Sequence, residues 1–262
     1  MKAGVVQFSP EFGNPQGNVA KMLELMSREE ADLFVLPELA LSGYVFESRE
    51  EAVSLAQRPD GAEFDAMSAM SAERGTTIVV GFAEKAGSRL YNSSLLITPD
   101  GERTVYRKIQ LFSDEKRIFD PGDSPPRVVD VAGARLGMMI CFDWIFPEVA
   151  RSLALSGADI LCHSANLVLP YCQDAMITRC IENRVFALTA NRIGTEKRAG
   201  QKLTFTGGSQ AVSPKGEILM RAGVDDETVL VTEIDPALAR SKRITDRNDL
   251  LKDRRPDMYR LG

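Results

Sequence analysis

Along this chain, apolar segments the length of a β-strand alternate with stretches whose apolar residues recur every three or four positions. Several strand pairs are also joined by turns too short to hold a helix, such as Pro99-Asp100-Gly101 and Pro214-Lys215-Gly216. The spacing predicts helices over residues 18–30, 62–74, 147–156 and 171–183, the second and third stopped by Gly75 and Gly157. In the first of these, Val19, Met22, Leu23 and Met26 share one face. Strands are predicted over 3–8, 32–36, 76–82, 90–98, 102–107, 135–140, 159–163, 186–191, 208–212, 218–221 and 228–234. Alternation interrupted by hairpins implies a layered α/β domain and argues against a pure doubly wound sheet. The pattern alone leaves the order of the layers open.

With 262 residues the chain can bury a full core, and no linker, repeat or low-complexity stretch divides it, so residues 1–262 read as one domain. Thirty-two Lys plus Arg against 37 Asp plus Glu give a formal charge of −5, which disfavours nucleic acid or an acidic membrane as partner. Strand-like residues begin at Ala3, with no signal peptide and no apolar run long enough to span a bilayer. Four cysteines are too few for a disulfide scaffold, and the expected compartment is the reducing cytoplasm.

Three segments carry chemistry. In Met138-Met139-Ile140-Cys141-Phe142-Asp143-Trp144 a short apolar strand ends at a thiol, and Pro147-Glu148 then opens a helix. A nucleophile at such a corner sits on a rigid element with its side chain offered to a pocket; the plainer reading is a small core residue. In Asp32-Leu33-Phe34-Val35-Leu36-Pro37-Glu38 a carboxylate follows directly on a buried strand, at the end where open α/β sheets place ligands. In Thr104-Val105-Tyr106-Arg107-Lys108 a strand leads to a lysine, with Glu115 shortly after. Taken singly, Glu38 could be an exposed loop acid and Lys108 half of a solvated basic pair.

Taken together, these segments resemble the nitrilase superfamily, the carbon–nitrogen hydrolases with a Glu-Lys-Cys triad. The likeness includes Pro37-Glu38, Ser42-Gly43-Tyr44, Tyr106-Arg107-Lys108, Leu111-Phe112, Glu115, Pro121-Gly122-Asp123, Cys141, Asp143 and Pro147-Glu148 in the family's order, and continues through Glu182-Asn183-Arg184, Asn191-Arg192 and Gly208-Ser209-Gln210. It implies a four-layer α-β-β-α sandwich, two subunits stacked through helices as a homodimer, and a tail, residues 235–262, reaching the dimer interface. The other reading of that tail is a solvated terminal helix. The resemblance implies Cys141 as nucleophile, Glu38 as general base, and Lys108 with the backbone N–H of Phe142 as oxyanion donors. Lys108 is expected to favour the thiolate. Glu115 matches the family's second glutamate and is expected to position Lys108 and substrate.

His163 is the chain's one histidine and is expected at a pocket edge or in packing, since Glu38 and Lys108 leave it no acid–base task. Cys162, His163, Cys172 and Cys180 match no metal-ligand spacing, and no phosphate-cradling glycine loop appears, so neither a metal nor a cofactor is expected. Tyr44, Trp144 and Asn166 are the candidate substrate contacts. Trp144 and Ile145 fall where carboxylate-binding members carry arginines, which weakens a carbamoyl amino acid as substrate. The compact length favours hydrolysis of a small aliphatic amide to acid and ammonia. The alternatives are a nitrilase acting on small aliphatic nitriles or dinitriles, and an idle scaffold of the same fold.

Overall fold

The computed structural model describes residues 1–259. Among these, two six-stranded sheets carry the fold. The first contains β1 (Lys2–Gln7), β2 (Leu33–Val35), β3 (Thr77–Ala86), β4 (Arg89–Ile97), β5 (Arg103–Arg107) and β14 (Thr228–Glu233), ordered β14-β1-β2-β3-β4-β5. The second contains β6 (Val128–Val131), β7 (Ala134–Ile140), β8 (Ile160–Ser164), β9 (Phe186–Ala190), β12 (Gln210–Val212) and β13 (Ile218–Arg221), ordered β13-β12-β9-β8-β7-β6. A separate two-stranded ribbon joins β10 (Thr195–Arg198) to β11 (Gln201–Thr204). In each large sheet three strands run parallel, β1-β2-β3 and β7-β8-β9, with antiparallel strands outside them.

Helices α1 (Pro15–Ser27) and α3 (Asp65–Arg74) cover the first sheet, and α5 (Pro147–Leu155) and α6 (Cys172–Asn183) cover the second. The sheets meet face to face, with β1 against β9, β2 against β8 and β4 against β7. This is the expected four-layer α-β-β-α sandwich. Period-two alternation explains it. Ala3, Val5, Leu33, Val35 and Val79 point between the sheets, while Val6, Phe34, Leu36, Ile78, Val80 and Phe82 point toward α1 and α3. Strands buried on both faces are largely apolar, as β2 is throughout and β8 is up to His163 and Ser164.

The differences from expectation are local. The α1 helix starts at Pro15 because the Asn14 side chain accepts from Gly17 N–H at 3.0 Å, and proline is at home in a first turn. Two short helices, α2 (Arg49–Ser54) and α4 (Glu115–Ile118), were not predicted, and neither were β6 nor the β10-β11 ribbon. Their segments are short and half-exposed, so they leave no long apolar period. The described part of the tail forms no α-helix. It lies along its own chain, where Arg240 reaches Asp159 and the Lys242 ammonium donates to the Asn183 and Arg184 carbonyls. Residues 260–262, the end of the segment expected at a dimer interface, lie outside the described residues. None of the described helices is long and apolar enough to cross a membrane.

Candidate active site

Each central group stands just beyond the carboxyl end of a strand. Glu38 follows β2, Lys108 follows β5, Cys141 follows β7, and Asn166 follows β8. The first two hang from one sheet and the last two from the other, so sheet packing brings them together. Glu38 and Lys108 are fully buried, and Cys141 and Glu115 are each 5% exposed.

Lys108 links both acids. Its Nζ donates to Glu38 Oε1 at 2.6 Å and to Glu115 at 2.8 Å. Glu38 Oε1 also accepts from Asn92 Nδ2 at 2.7 Å, whereas Glu38 Oε2 has no hydrogen-bond partner among the described residues. Glu115 accepts from the Tyr44 hydroxyl at 2.7 Å and from Phe112 N–H at 3.1 Å. Backbone fit sets the place of Glu38. Leu39 adopts φ +47°, and Gly81 on β3 lies so close that a Cβ there would stand 2.4 Å from Glu38 Cα.

Cys141 opens a 3₁₀ helix, Cys141–Ile145, directly after the extended Ile140. Its φ of +39° is a left-handed conformation that non-glycine residues rarely hold. Clamps on both sides hold it. Asp143 accepts from Ile140 N–H at 2.9 Å, from the Tyr106 hydroxyl at 2.7 Å and from Gln110 N–H at 3.3 Å. His163 Nε2 lies 3.0 Å from the Cys141 carbonyl oxygen. The Cys141 thiol reaches the Asn166 carbonyl at 3.7 Å, and the Asn166 amide donates to the Glu38 carbonyl at 2.8 Å.

The electrostatics follow from burial and from the three charged neighbours. Burial, then the Glu38 carboxylate, push the Cys141 pKa well above its usual value; Lys108 opposes this but does not prevail. The Cys141 side chain therefore rests as a thiol; Lys108 favours the thiolate, as expected, but is outweighed. Burial also raises Glu38, against Lys108, and so makes it a stronger base. Burial works against the Lys108 ammonium too, but Glu115 and then Glu38 outweigh it and keep the amine charged.

Of the other expected residues, Tyr44 meets Glu115 directly. Trp144 is buried in the same apolar cluster as Cys141, one 3₁₀ turn on, and its carbonyl accepts from Arg179 at 3.1 Å. The Phe142 N–H belongs to the first turn of the 3₁₀ helix, where backbone donors lack partners within the helix. Asn92 and the Arg192–Glu196 pair escaped sequence reasoning. Glu196, on β10, pairs with the buried Arg192 and accepts from Tyr44 N–H at 3.1 Å and Val45 N–H at 2.7 Å, so it fixes the loop that carries Tyr44. Nothing in a lone Asn or Glu betrays such a partner; only the lost cost of burying them could have hinted at one.

A cavity of about 70 Å³ adjoins Glu115, lined mainly by Tyr44, Phe46, Phe112, Ile118, Phe119 and Leu203. A larger open cleft of about 830 Å³ is lined by Met1, Lys2, Asp32, Arg74 and Glu233. It lies at the start of β1, the opposite end from the strand termini that carry the four groups, and contains none of them.

Residues 2–244 match the model of the carbon-nitrogen hydrolase family. The chain belongs to that family. This carbon–nitrogen hydrolase is 46% identical over 263 residues to a nitrilase of Pyrococcus abyssi, covering 99% of each chain. It is 35% identical to an (R)-stereoselective amidase of a Pseudomonas species, over 97% of this chain and 92% of the relative. Among solved structures it superposes on an amidase from Nesterenkonia sp. AN1 with a TM-score of 0.81 at 26% identity, covering 98% of this chain and 97% of the other.

Proposed function

We propose that this hydrolase converts small, uncharged aliphatic nitriles to the carboxylic acid and ammonia through covalent intermediates on Cys141. The observation that carries the chemistry is the buried Lys108 ammonium bonded to two carboxylates, one of which keeps a free oxygen in a site shared with the thiol. The nitrile preference rests on the 46% identity to a nitrilase along the whole chain, which reverses the order of amide and nitrile expected from compact length. An aromatic and aliphatic cavity wall favours a short apolar substituent. It also carries the Glu115 and Asp114 carboxylates, which disfavour a substrate with a carboxylate of its own.

In the proposed reaction the thiol proton passes to Glu38 Oε2 as sulfur attacks the nitrile carbon. The nitrile nitrogen takes a proton, leaving a thioimidate. Water, relieved of its proton by Glu38, adds to that carbon; both of its protons pass through Glu38 to the nitrogen, the C–N bond breaks, ammonia leaves, and a thioester remains on Cys141. A second water cleaves the thioester and returns the proton to sulfur. Lys108 and the Phe142 N–H hold the charge that develops on nitrogen or oxygen at each addition. Tyr44, through Glu115, keeps the lysine aimed.

Amide hydrolysis is the second reading, supported by the 35% identical amidase and by the superposed amidase structure. It uses the same groups and enters one stage later. Ammonia release from paired butyronitrile and butyramide tests both. A kcat/KM larger for the nitrile is expected, and a larger value for the amide would reverse the preference. Cys141→Ala should release no ammonia from either, and Glu38→Gln should lose at least about a thousandfold in kcat. Turnover by Cys141→Ala would refute covalent catalysis, while an inert wild-type protein would leave the scaffold reading in its place.

A further inference from the structure

We propose that His163 is a positioning residue that aims the oxyanion donor: by gripping the Cys141 carbonyl from behind the site, it fixes the peptide plane whose other edge is the Phe142 N–H. The inference rests on the oxyanion role given to that N–H above.

The argument begins with hydrogen-bond bookkeeping. His163 is fully buried on β8, with Nε2 at 3.0 Å from the Cys141 carbonyl oxygen and Nδ1 at 3.2 Å from Thr189 Oγ1 on β9. A carbonyl can only accept, so Nε2 must carry the hydrogen. Nδ1 is then the acceptor, and the Thr189 hydroxyl donates to it. Burial pushes the imidazole down to about 4, so this single neutral tautomer persists at working pH. A neutral ring of low basicity is a poor proton shuttle and a good fixed donor.

Geometry supplies the consequence. The peptide between Cys141 and Phe142 is planar, and in a trans peptide the C=O and N–H point to opposite sides. A donor that holds the oxygen on the β8 side therefore turns the N–H away from it. This restraint matters more than usual here, because Cys141 sits at φ +39°, a conformation that a non-glycine residue keeps only where its surroundings hold it. Asp143 holds the Met139–Ile140 peptide through Ile140 N–H, one peptide further back, and His163 holds the peptide directly after Cys141. The two clamps control different things. The first sets the sulfur's approach; the second sets the oxyanion donor.

The test separates these effects in the intact protein. His163→Leu should lower kcat by about 30- to 300-fold, less than or comparable to deleting an oxyanion donor outright, with KM changed under about threefold. Labelling of Cys141 by methyl methanethiosulfonate, which has no carbonyl to stabilise, should keep its wild-type rate within about threefold, because it needs the sulfur and not the N–H. His163→Gln places an amide N–H near the lost Nε2 and should recover at least about tenfold of the kcat deficit. Thr189→Val keeps the ring but frees it to turn, and should cost about three- to tenfold in kcat with labelling unaffected; this variant decides the matter if His163→Leu fails to fold. Wild-type kcat in either His163→Leu or Thr189→Val would overturn the inference, as would a labelling rate that falls in step with kcat. An active wild type with an unaffected His163→Leu sinks this inference alone. A wild type inert toward every nitrile and amide sinks the proposed reaction and this inference together.

Discussion

At Glu38 the two carboxylate oxygens have different neighbours: Oε1 is held by Lys108 and Asn92, and Oε2 has no partner among the described residues. One oxygen anchors the group and the other can take and return a proton without the side chain moving. His163 shows how burial sets charge at a single residue, and it leads to a prediction about pH. Its folded pKa of about 4 lies below the value of 6.5 expected in the unfolded chain. The stability it contributes is therefore fully present above 6.5 and is lost as pH falls through 4. The difference corresponds to about 3 kcal/mol. Asp143 acts in the opposite sense: burial raises it from 3.8 to about 6, so its contribution is present at low pH and lost as pH rises through that value. The comparison must then be between proteins. Urea denaturation at pH 7 and at pH 4.5 should show the wild type losing more stability than His163→Gln by a few kcal/mol, and parallel losses would show that His163 charges at no cost. Of these residues, Glu38, Lys108, Glu115 and Cys141 were singled out in the sequence through the family likeness of three segments taken together, and the structure brings them to one place. Asn92 and the grip of His163 on Cys141 were not, because a hydrogen-bond partner 54 or 22 positions away leaves no trace in spacing.

Among the elements, the contact between β3 and the segment after β2 places Glu38 most tightly. Gly81 has ordinary backbone angles, and its requirement is purely steric. Gly81→Ala would push a methyl group to 2.4 Å from Glu38 Cα and 2.6 Å from the Pro37 carbonyl oxygen. The neighbours are backbone, so relief requires a shift of the strand end. A loss of about 3 kcal/mol in stability is expected from such overpacking, with kcat reduced at least about tenfold in the folded fraction. A variant with wild-type kcat and Tm would show that this contact is slack. Strands such as β1 and β2, and helices such as α5, were readable from period and capping. The β10-β11 ribbon was not: its pattern of exposed and half-buried polar residues reads as a loop, although its Glu196 holds the Tyr44 loop in place. Half-buried ribbons over a site owe their form to tertiary hydrogen bonds, which a single sequence does not display.

For the whole molecule, the alternation of strands and helices indicated a layered α/β domain, while the order of the layers came from the family likeness and from the structure. Pattern alone could not distinguish strands with helices on both faces from strands with a sheet on one face and helices on the other, since both are apolar on both faces. Leu155 and Ile181 are 47% and 48% exposed on α5 and α6, the outer helices of the second sheet. Stacking through those helices, as the resemblance implies, predicts a light-scattering mass twice that of the chain at micromolar concentration. A mass equal to one chain would remove the expectation.

Because Glu38 and Lys108 hang from one sheet and Cys141 from the other, the candidate active site is also a seam. A reagent that bonds covalently to Cys141 while gripping Glu38 or Lys108 would act as a rivet across the two halves. Such an adduct should resist heat and protease better than the free protein, and inhibitor strength and thermal protection should rise together across a series of them.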